Sequence, residues 1–123
     1  MIVDDQADNR EIVGIFLSRA GATTVLAESA RAALQHLETL WPDLIVADIS
    51  MPEQDGYSLI HSIRNLPGKR SGIPAVALTA HVGKEEMARA LREGYNLHVG
   101  KPVVGSELVQ LLSTLLQQAN TQP

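Results

Sequence analysis

Residues 44–52 read Leu-Ile-Val-Ala-Asp-Ile-Ser-Met-Pro, an apolar run that ends at one carboxylate, Asp48, and then reaches a proline. A short continuous apolar run is typical of a strand that is buried on both faces of a parallel sheet. An acid directly after such a run lies at the carboxyl end of its strand, where sheets of this class bind their ligands. The stretch therefore predicts an α/β fold and a functional role for Asp48.

Short apolar runs alternate with amphipathic stretches along the rest of the chain. The predicted strands are Met1–Val3, Thr23–Leu26, Leu44–Ala47, Ala75–Leu78 and Asn96–Val99. Apolar residues at helical spacing follow each strand, first from Asp8 to Ala20, then after the predicted N-cap Ser29 on a face that reaches Trp41. Five strand–helix units predict one doubly wound α/β domain, a parallel sheet with helices on both faces.

Composition narrows the function classes. The chain has 123 residues, which suits one domain, and no apolar run approaches the roughly 20 residues that cross a bilayer. Its formal net charge is −4 and no Lys/Arg cluster is dense, so direct binding to nucleic acid or to a membrane is not expected. Cysteine is absent, which excludes disulfides and thiolate metal sites and fits a cytoplasmic location.

Five chemically reactive residues stand at the predicted strand ends. Asp4 and Asp5 follow the first strand, Asp48 the third, Thr79 the fourth and Lys101 the fifth. Taken singly, each would be an ordinary turn or capping residue, but parallel strands bring all five to one edge of the sheet. Clustered carboxylates need a cation, and hard oxygen ligands suit Mg²⁺. With an ammonium and a hydroxyl beside them, they predict a phosphoryl site with a carboxylate nucleophile.

Four segments together resemble the receiver domain of two-component response regulators, and the resemblance covers nearly the whole chain. They are Ile-Val-Asp-Asp-Gln at 2–6, the run from 44 to 57, Ala-Leu-Thr-Ala at 77–80 and Lys-Pro at 101–102. The resemblance implies a flavodoxin-like, five-stranded sheet of order 2-1-3-4-5. It also implies a receiver domain over residues 1–118, followed by a polar C-terminal tail at 119–123.

The resemblance implies that Asp48 is the phosphoacceptor, taking its phosphoryl group from the phosphohistidine of a histidine kinase or phosphotransfer domain. Mg²⁺ or Mn²⁺ would be held by Asp5, Asp48 and the backbone carbonyl of Ser50, with Asp4 acting through water. Such a protein is not an enzyme acting on other substrates, since it catalyses only its own phosphoryl transfer and dephosphorylation.

The resemblance also implies a switch. Lys101 pairs with Asp48 and then with the phosphoryl oxygens, while Thr79 turns inward to bond them. The Lys101–Pro102 bond is expected to be cis. Phosphorylation would then rearrange the surface formed by the fourth helix, the fifth strand and the last helix, which a partner reads.

Three positions depart from the family or vary within it. His98 stands three residues before the lysine, where the family usually has Tyr or Phe, and is predicted to be the switch residue; the alternative is an ordinary surface histidine. Ser50 and His81 flank the phosphoryl group and are predicted to tune its lifetime, although His81 can equally be a solvated loop residue. Tyr95 is expected to pack rather than switch.

Other functions are left open or disfavoured. A Mg²⁺-dependent aspartyl-phosphate phosphatase usually has an acid two residues after its nucleophile, where this chain has Ser50. A pseudo-receiver used only for protein contact would not need the complete set of acids, threonine and lysine. The first strand is shorter than the family's, so we expect either a receiver module cut from a hybrid sensor histidine kinase or a single-domain response regulator. The sequence determines neither the downstream target nor whether the chain forms a homodimer.

Overall fold

The computed structural model describes residues 1–50, 56–80 and 83–121 of the chain. Strands and helices alternate along these residues. In chain order they are β1 (Ile2–Val3), α1 (Ala7–Arg19), β2 (Leu26–Ala27), α2 (Ala30–His36), β3 (Ile45–Asp48), α3 (Gly56–Arg64), a 3-10 helix (Gly68–Gly72), β4 (Ala75–Thr79), α4 (Lys84–Glu93), β5 (Leu97–Gly100) and α5 (Gly105–Thr121).

The five strands form one parallel sheet of order β2-β1-β3-β4-β5. This confirms the predicted fold class and strand order. The register aligns Asp48 with Leu78 and Thr79 with Gly100, so the carboxyl ends of the three strands β3, β4 and β5 lie side by side. The fold therefore brings the strand-terminal residues to one edge.

Two apolar clusters lie on opposite faces of the sheet. One joins the buried faces of α2 and α3 to alternate strand residues such as Ile45 and Ala77. The other joins α1 and α5 to the intervening residues such as Val46 and Val76. Because helices cover both faces, the central strands are apolar throughout rather than alternating with polar residues.

Two predictions about the first half of the chain are wrong in detail. The second strand is Leu26–Ala27 rather than Thr23–Leu26, and α2 ends at His36 although its predicted face reached Trp41. Trp41 is 57% exposed. The chain leaves α2 through turns in which the N–H groups of Glu38 and Thr39 donate to the carbonyls of Gln35 and His36, and Pro42 disfavours the helical conformation at Trp41. The N-cap of α2 is as predicted, because the hydroxyl oxygen of Ser29 accepts a 3.0 Å hydrogen bond from the amide of Ala32.

The last helix continues to Thr121, three residues into the segment that was expected to be a tail. The domain boundary at residue 118 stays a prediction. No helix among the described residues has the length and apolarity needed to span a membrane.

Candidate functional site

The buried polar residues of the described chain lie at the carboxyl edge of the sheet. Asp4, Asp48 and Thr79 are 2%, 4% and 1% exposed. They follow or end three adjacent strands, β1, β3 and β4. Buried carboxylates are rare in proteins unless they are paired, so their concentration at one edge marks a functional site rather than a packing solution.

Asp48 is held at both of its carboxylate oxygens. The Lys101 ammonium donates a hydrogen bond to Oδ2 over 2.5 Å, and the backbone N–H of Ser50 donates one to Oδ1 over 2.8 Å. Lys101 itself follows β5, and its backbone N–H donates to the carbonyl of Thr79 over 2.8 Å. The Lys101–Pro102 peptide bond is cis. Strand pairing thus places the lysine against a carboxylate that is 53 residues away in sequence.

Two further acids lie beside this carboxylate. One oxygen each from Asp4, Asp5 and Asp48 lies within 4.8 Å of the others. At an effective dielectric constant near 20, two unit charges at that separation repel by about 3 kcal/mol. Lys101 lies 2.5 Å from Asp48 but 4.0 Å from Asp4, so it neutralises one acid more than the others. The cluster therefore keeps an excess of negative charge.

The pKa of Asp4 reflects this environment. Burial is the main cause that raises it above the usual value for an aspartate. The Gln6 N–H, which donates to Oδ1 over 2.9 Å, lowers it in part. The negative charges of Asp48 and Asp5 raise it further, against a smaller lowering by Lys101. A cation among these oxygens would remove the repulsion.

The donor set fits a hard divalent cation. The three clustered ligands are all carboxylates, two of them buried and Asp5 exposed, so the cluster opens to solvent on one side. Mg²⁺ prefers one or two carboxylates, keeps several waters and accepts phosphate oxygens in the remaining positions. Neither histidine nor cysteine belongs to the described cluster, which disfavours a softer metal.

His98 and Tyr95 differ in how their polar atoms are satisfied. Tyr95 is 3% exposed and its hydroxyl donates a 2.6 Å hydrogen bond to the backbone carbonyl of Gly56. His98 lies on β5 opposite Ala77 of β4, and its Nε2 is buried without a hydrogen-bond partner among the described residues. Tyr95 is thus a packed residue, as expected, whereas His98 is partly buried with its Nε2 shielded from solvent.

Several predicted positions cannot be placed. His81 lies outside the described residues, as do Met51, Pro52 and Asp55 of the loop after β3. Ser50 is described and contributes its backbone amide to Asp48. The predicted acids, Thr79 and Lys101 are all found at one edge of the sheet.

Two arginines were missed by reasoning from sequence. Arg10 of α1 donates to the backbone carbonyl of Asp4 over 2.8 Å. Arg64 at the end of α3 donates to the backbone carbonyls of Ser71 and Ile73 before β4, and to that of Gly94 after α4. A single arginine on an amphipathic helix is usually a solvated charge, and a carbonyl partner leaves no mark in side-chain patterns. The sequence contained no signal for either contact.

Comparisons with known proteins point to one family. A family model for the response regulator receiver domain matches residues 1–113. The chain is 42% identical over 112 residues to an uncharacterized 14.6 kDa protein of Leptolyngbya boryana, covering 91% of this chain and 85% of that protein. It is 32% identical to hybrid signal transduction histidine kinase D of Dictyostelium discoideum, over 98% of this chain but only 8% of the kinase.

The structural match is as extensive. The signal receiver domain of a signal transduction histidine kinase from Syntrophus aciditrophicus superposes with a TM-score of 0.87 at 29% identity. The superposition covers 99% of this chain and 92% of that domain. This chain is therefore similar both to a domain-sized protein and to a kinase about twelve times longer than the matched region.

Proposed function

We propose, from the premise that this chain belongs to the response regulator receiver domain family, that Asp48 accepts a phosphoryl group from a phosphohistidine. The observation that carries the proposal is the environment of Asp48. This carboxylate is buried, held by Lys101 on one oxygen and by a backbone amide on the other, and it stands within 4.8 Å of two further acids. Such a carboxylate is fixed in one orientation, as a nucleophile must be.

The phosphoryl transfer exchanges one bond for another. A carboxylate oxygen of Asp48 forms a bond to phosphorus while the bond between phosphorus and the donor's imidazole nitrogen breaks. The electron pair of that bond stays on the imidazole, which takes up a proton from water. Lys101, already hydrogen-bonded to Asp48, is placed to pair with the phosphoryl oxygens once they arrive.

The acids supply a site for Mg²⁺, or Mn²⁺ in its place. Asp5, Asp48 and the backbone carbonyl of Ser50 would bind the ion, and Asp4 would contribute through water. When bound, the ion would neutralise charge on the phosphoryl oxygens. The three clustered carboxylates support this assignment, because Lys101 is the one cation paired with them among the described residues.

Phosphorylation would then be read as a change of surface. A phosphoryl group adds roughly −1.5 to −2 charges at the edge of the sheet. We assign Thr79, at the end of β4, and His98, on neighbouring β5, as the residues that respond. The Nε2 of His98, which is buried and has no hydrogen-bond partner in the described part of the chain, supports this, because a buried polar atom is more stable once it is hydrogen-bonded. Ser50 and His81 are assigned to tuning the phosphoryl lifetime.

The donor is a histidine kinase or a phosphotransfer domain, and the setting is the cytoplasm. The chain acts either as the receiver module of a hybrid kinase or as a single-domain regulator. Similarity both to a domain-sized protein and to a hybrid kinase supports each setting. Its role as phosphoacceptor is the same in both, because the site lies within the matched residues 1–113.

Acetyl phosphate or phosphoramidate with Mg²⁺ tests the proposal. We expect the intact mass of the wild-type chain to increase by one phosphoryl group, and Asp48→Asn to abolish the increase. Asp43→Asn is the matched control, because Asp43 is an exposed acid at the opposite end of the same strand. Turnover of phosphate esters without a stable adduct would instead show a phosphatase. No reaction at all would show a pseudo-receiver.

A further inference from the structure

Arg10 makes an unusual contact beside the acid cluster. It lies on α1, is half-buried, and its Nη1 donates a 2.8 Å hydrogen bond to the backbone carbonyl of Asp4. A guanidinium this near to carboxylates would ordinarily pair with one of them, because charged pairs give the stronger hydrogen bonds. Here it bonds a neutral carbonyl instead, and Arg10 forms no ion pair with the acids of the described cluster.

The contact completes a clamp on the backbone of Asp4. From the β2 side, the Asp4 N–H donates to the carbonyl of Ala27 over 3.1 Å. Within the turn, the N–H of Gln6 donates to Oδ1 of Asp4 over 2.9 Å. From the α1 side, Arg10 holds the Asp4 carbonyl. The segment between β1 and α1 is thereby fixed by a strand, by its own turn and by a helix.

The residue whose position depends most on these hydrogen bonds is Asp5. It directly follows the clamped carbonyl, and unlike Asp4 and Asp48 it is exposed. An exposed side chain is not held by packing, so the position of its carboxylate depends on the backbone from which it extends. The Asp4 carbonyl belongs to the peptide unit that joins Asp4 to Asp5, so the Arg10 bond fixes the plane of that peptide.

We propose that Arg10 is a positioning residue for the metal-binding acids, holding the Asp4–Asp5 peptide so that the Asp5 carboxylate faces Asp48. The inference rests on the proposed function, since it takes the acid cluster to be a Mg²⁺ site. It concerns the strength of that site rather than its existence. Removing a group that orients a metal ligand commonly lowers the metal affinity by about 10- to 100-fold.

An electrostatic role for Arg10 and a positioning role predict opposite changes in Mg²⁺ affinity, which makes the inference testable. A positive guanidinium near the site repels Mg²⁺, so if charge alone mattered, Arg10→Gln would tighten binding. If Arg10 positions the acids, the same substitution weakens binding, by about 10-fold. Arg10→Lys keeps the charge and one donor but loses the planar guanidinium, and should bind Mg²⁺ with an intermediate affinity.

The experiment is a calorimetric titration of the intact chain with Mg²⁺ alone, beside a thermal unfolding curve for each variant. Arg19→Gln is the matched control, because it removes the same charge from an exposed position on the same helix. We expect its Mg²⁺ affinity to stay within about 2-fold of wild type. If Arg10→Gln proves unfolded, the comparison of Arg10→Lys with wild type decides instead.

The outcomes separate this inference from the proposed function. Mg²⁺ affinity that is unchanged or tighter in a folded Arg10→Gln variant, or unchanged in Arg10→Lys where that variant decides, would overturn the positioning role alone. Wild-type chain that binds no Mg²⁺ would overturn both. Binding that is lost in Asp5→Asn and weakened in Arg10→Gln, with Arg19→Gln unaffected, would support both.

Discussion

Substituting Gly56 by alanine should disturb the site through the backbone that follows Asp48. Gly56 is the buried first residue of α3. A Cβ atom added to it would lie 2.6 Å from Cα of Ile49 and 2.7 Å from its Cγ2. Carbon atoms that are not bonded to each other pack at about 3.5–4.0 Å, so the deficit is about 1 Å. Because the nearest atom belongs to the main chain, no change of rotamer can relieve the contact.

The expected destabilisation follows from that overlap. Overpacking of a closed core costs about 1–3 kcal/mol, and a value near 2 is reasonable where the backbone must move. Unfolding entropy is about 2.1 cal/mol/K per residue, or about 0.26 kcal/mol/K for 123 residues. Gly56→Ala should therefore lower the thermal midpoint by about 8 °C.

Gly72→Ala is the control for this prediction. A Cβ at Gly72 would meet no atom within 4 Å, and Gly72 does not have a positive φ. Its thermal midpoint should stay within about 2 °C of wild type, because surface substitutions usually change stability by less than about 0.5 kcal/mol. Urea denaturation gives the free energy of unfolding of each variant independently of the thermal curve.

Gly56→Ala should also slow phosphorylation, because Ile49 directly follows Asp48 and its own N–H is bonded to Leu78 over 3.0 Å. A shift of Ile49 is expected to displace the Asp48 carboxylate, which is bonded to Lys101 over 2.5 Å. The assay is the initial rate of labelling from acetyl phosphate at a temperature where both variants are fully folded. A Gly56→Ala chain that is as stable as Gly72→Ala would refute the steric argument. A destabilised Gly56→Ala chain with a wild-type labelling rate would refute the link between the packing of Gly56 against Ile49 and the position of Asp48.

Four further predictions concern single interactions. Mg²⁺ at ten times its dissociation constant should stabilise the wild-type chain by about 1.4 kcal/mol in thermal unfolding, and Asp5→Asn should show no such increase. Because burial raises the pKa of Asp4, the folded chain holds that proton more tightly than the unfolded chain, and this contribution to stability is lost as pH rises past the usual carboxyl value of about 4. Without Mg²⁺, Asp4→Asn should therefore gain stability relative to wild type as pH rises past that value, measured by urea denaturation at each pH. Arg64→Met should lose about 2–4 kcal/mol by the same method, because the guanidinium donates five hydrogen bonds to four residues beyond α3. Ser29→Ala should lose about 1 kcal/mol, because it removes the cap bond to Ala32.

The fold and the gathering of the strand-terminal residues could be predicted because both follow from short-range patterns. An apolar run such as 45–47 must be buried on both faces, and parallel pairing then sends every strand end to the same edge. Asp48 and Lys101 are 53 residues apart, yet each is placed by the strand that precedes it. Once the strand order is given, their contact needs no further information from the sequence.

Contacts made to backbone carbonyls could not be predicted in this way. Arg10 and Arg64 each find oxygens that belong to residues of any type, so the sequence carries no complementary partner. The end of α2 at His36 was also missed, since the apolar spacing continues to Trp41 while the proline after it excludes the helical conformation there. Periodicity describes which residues would share a face, and it does not say where a helix stops.

The hydrogen bonding of the two side chains explains why we assign the switch to His98 rather than to Tyr95. Tyr95 is closer in type to the aromatic residues that the family uses, but its hydroxyl is bonded to Gly56, and moving it would break a buried 2.6 Å hydrogen bond. His98 has the opposite balance, because its Nε2 is buried without a partner among the described residues. A buried polar atom left unpaired costs about 1–3 kcal/mol, which a second rotamer with a partner would recover. The hydrogen bonding of the described residues therefore supports His98, rather than Tyr95, as the proposed switch residue.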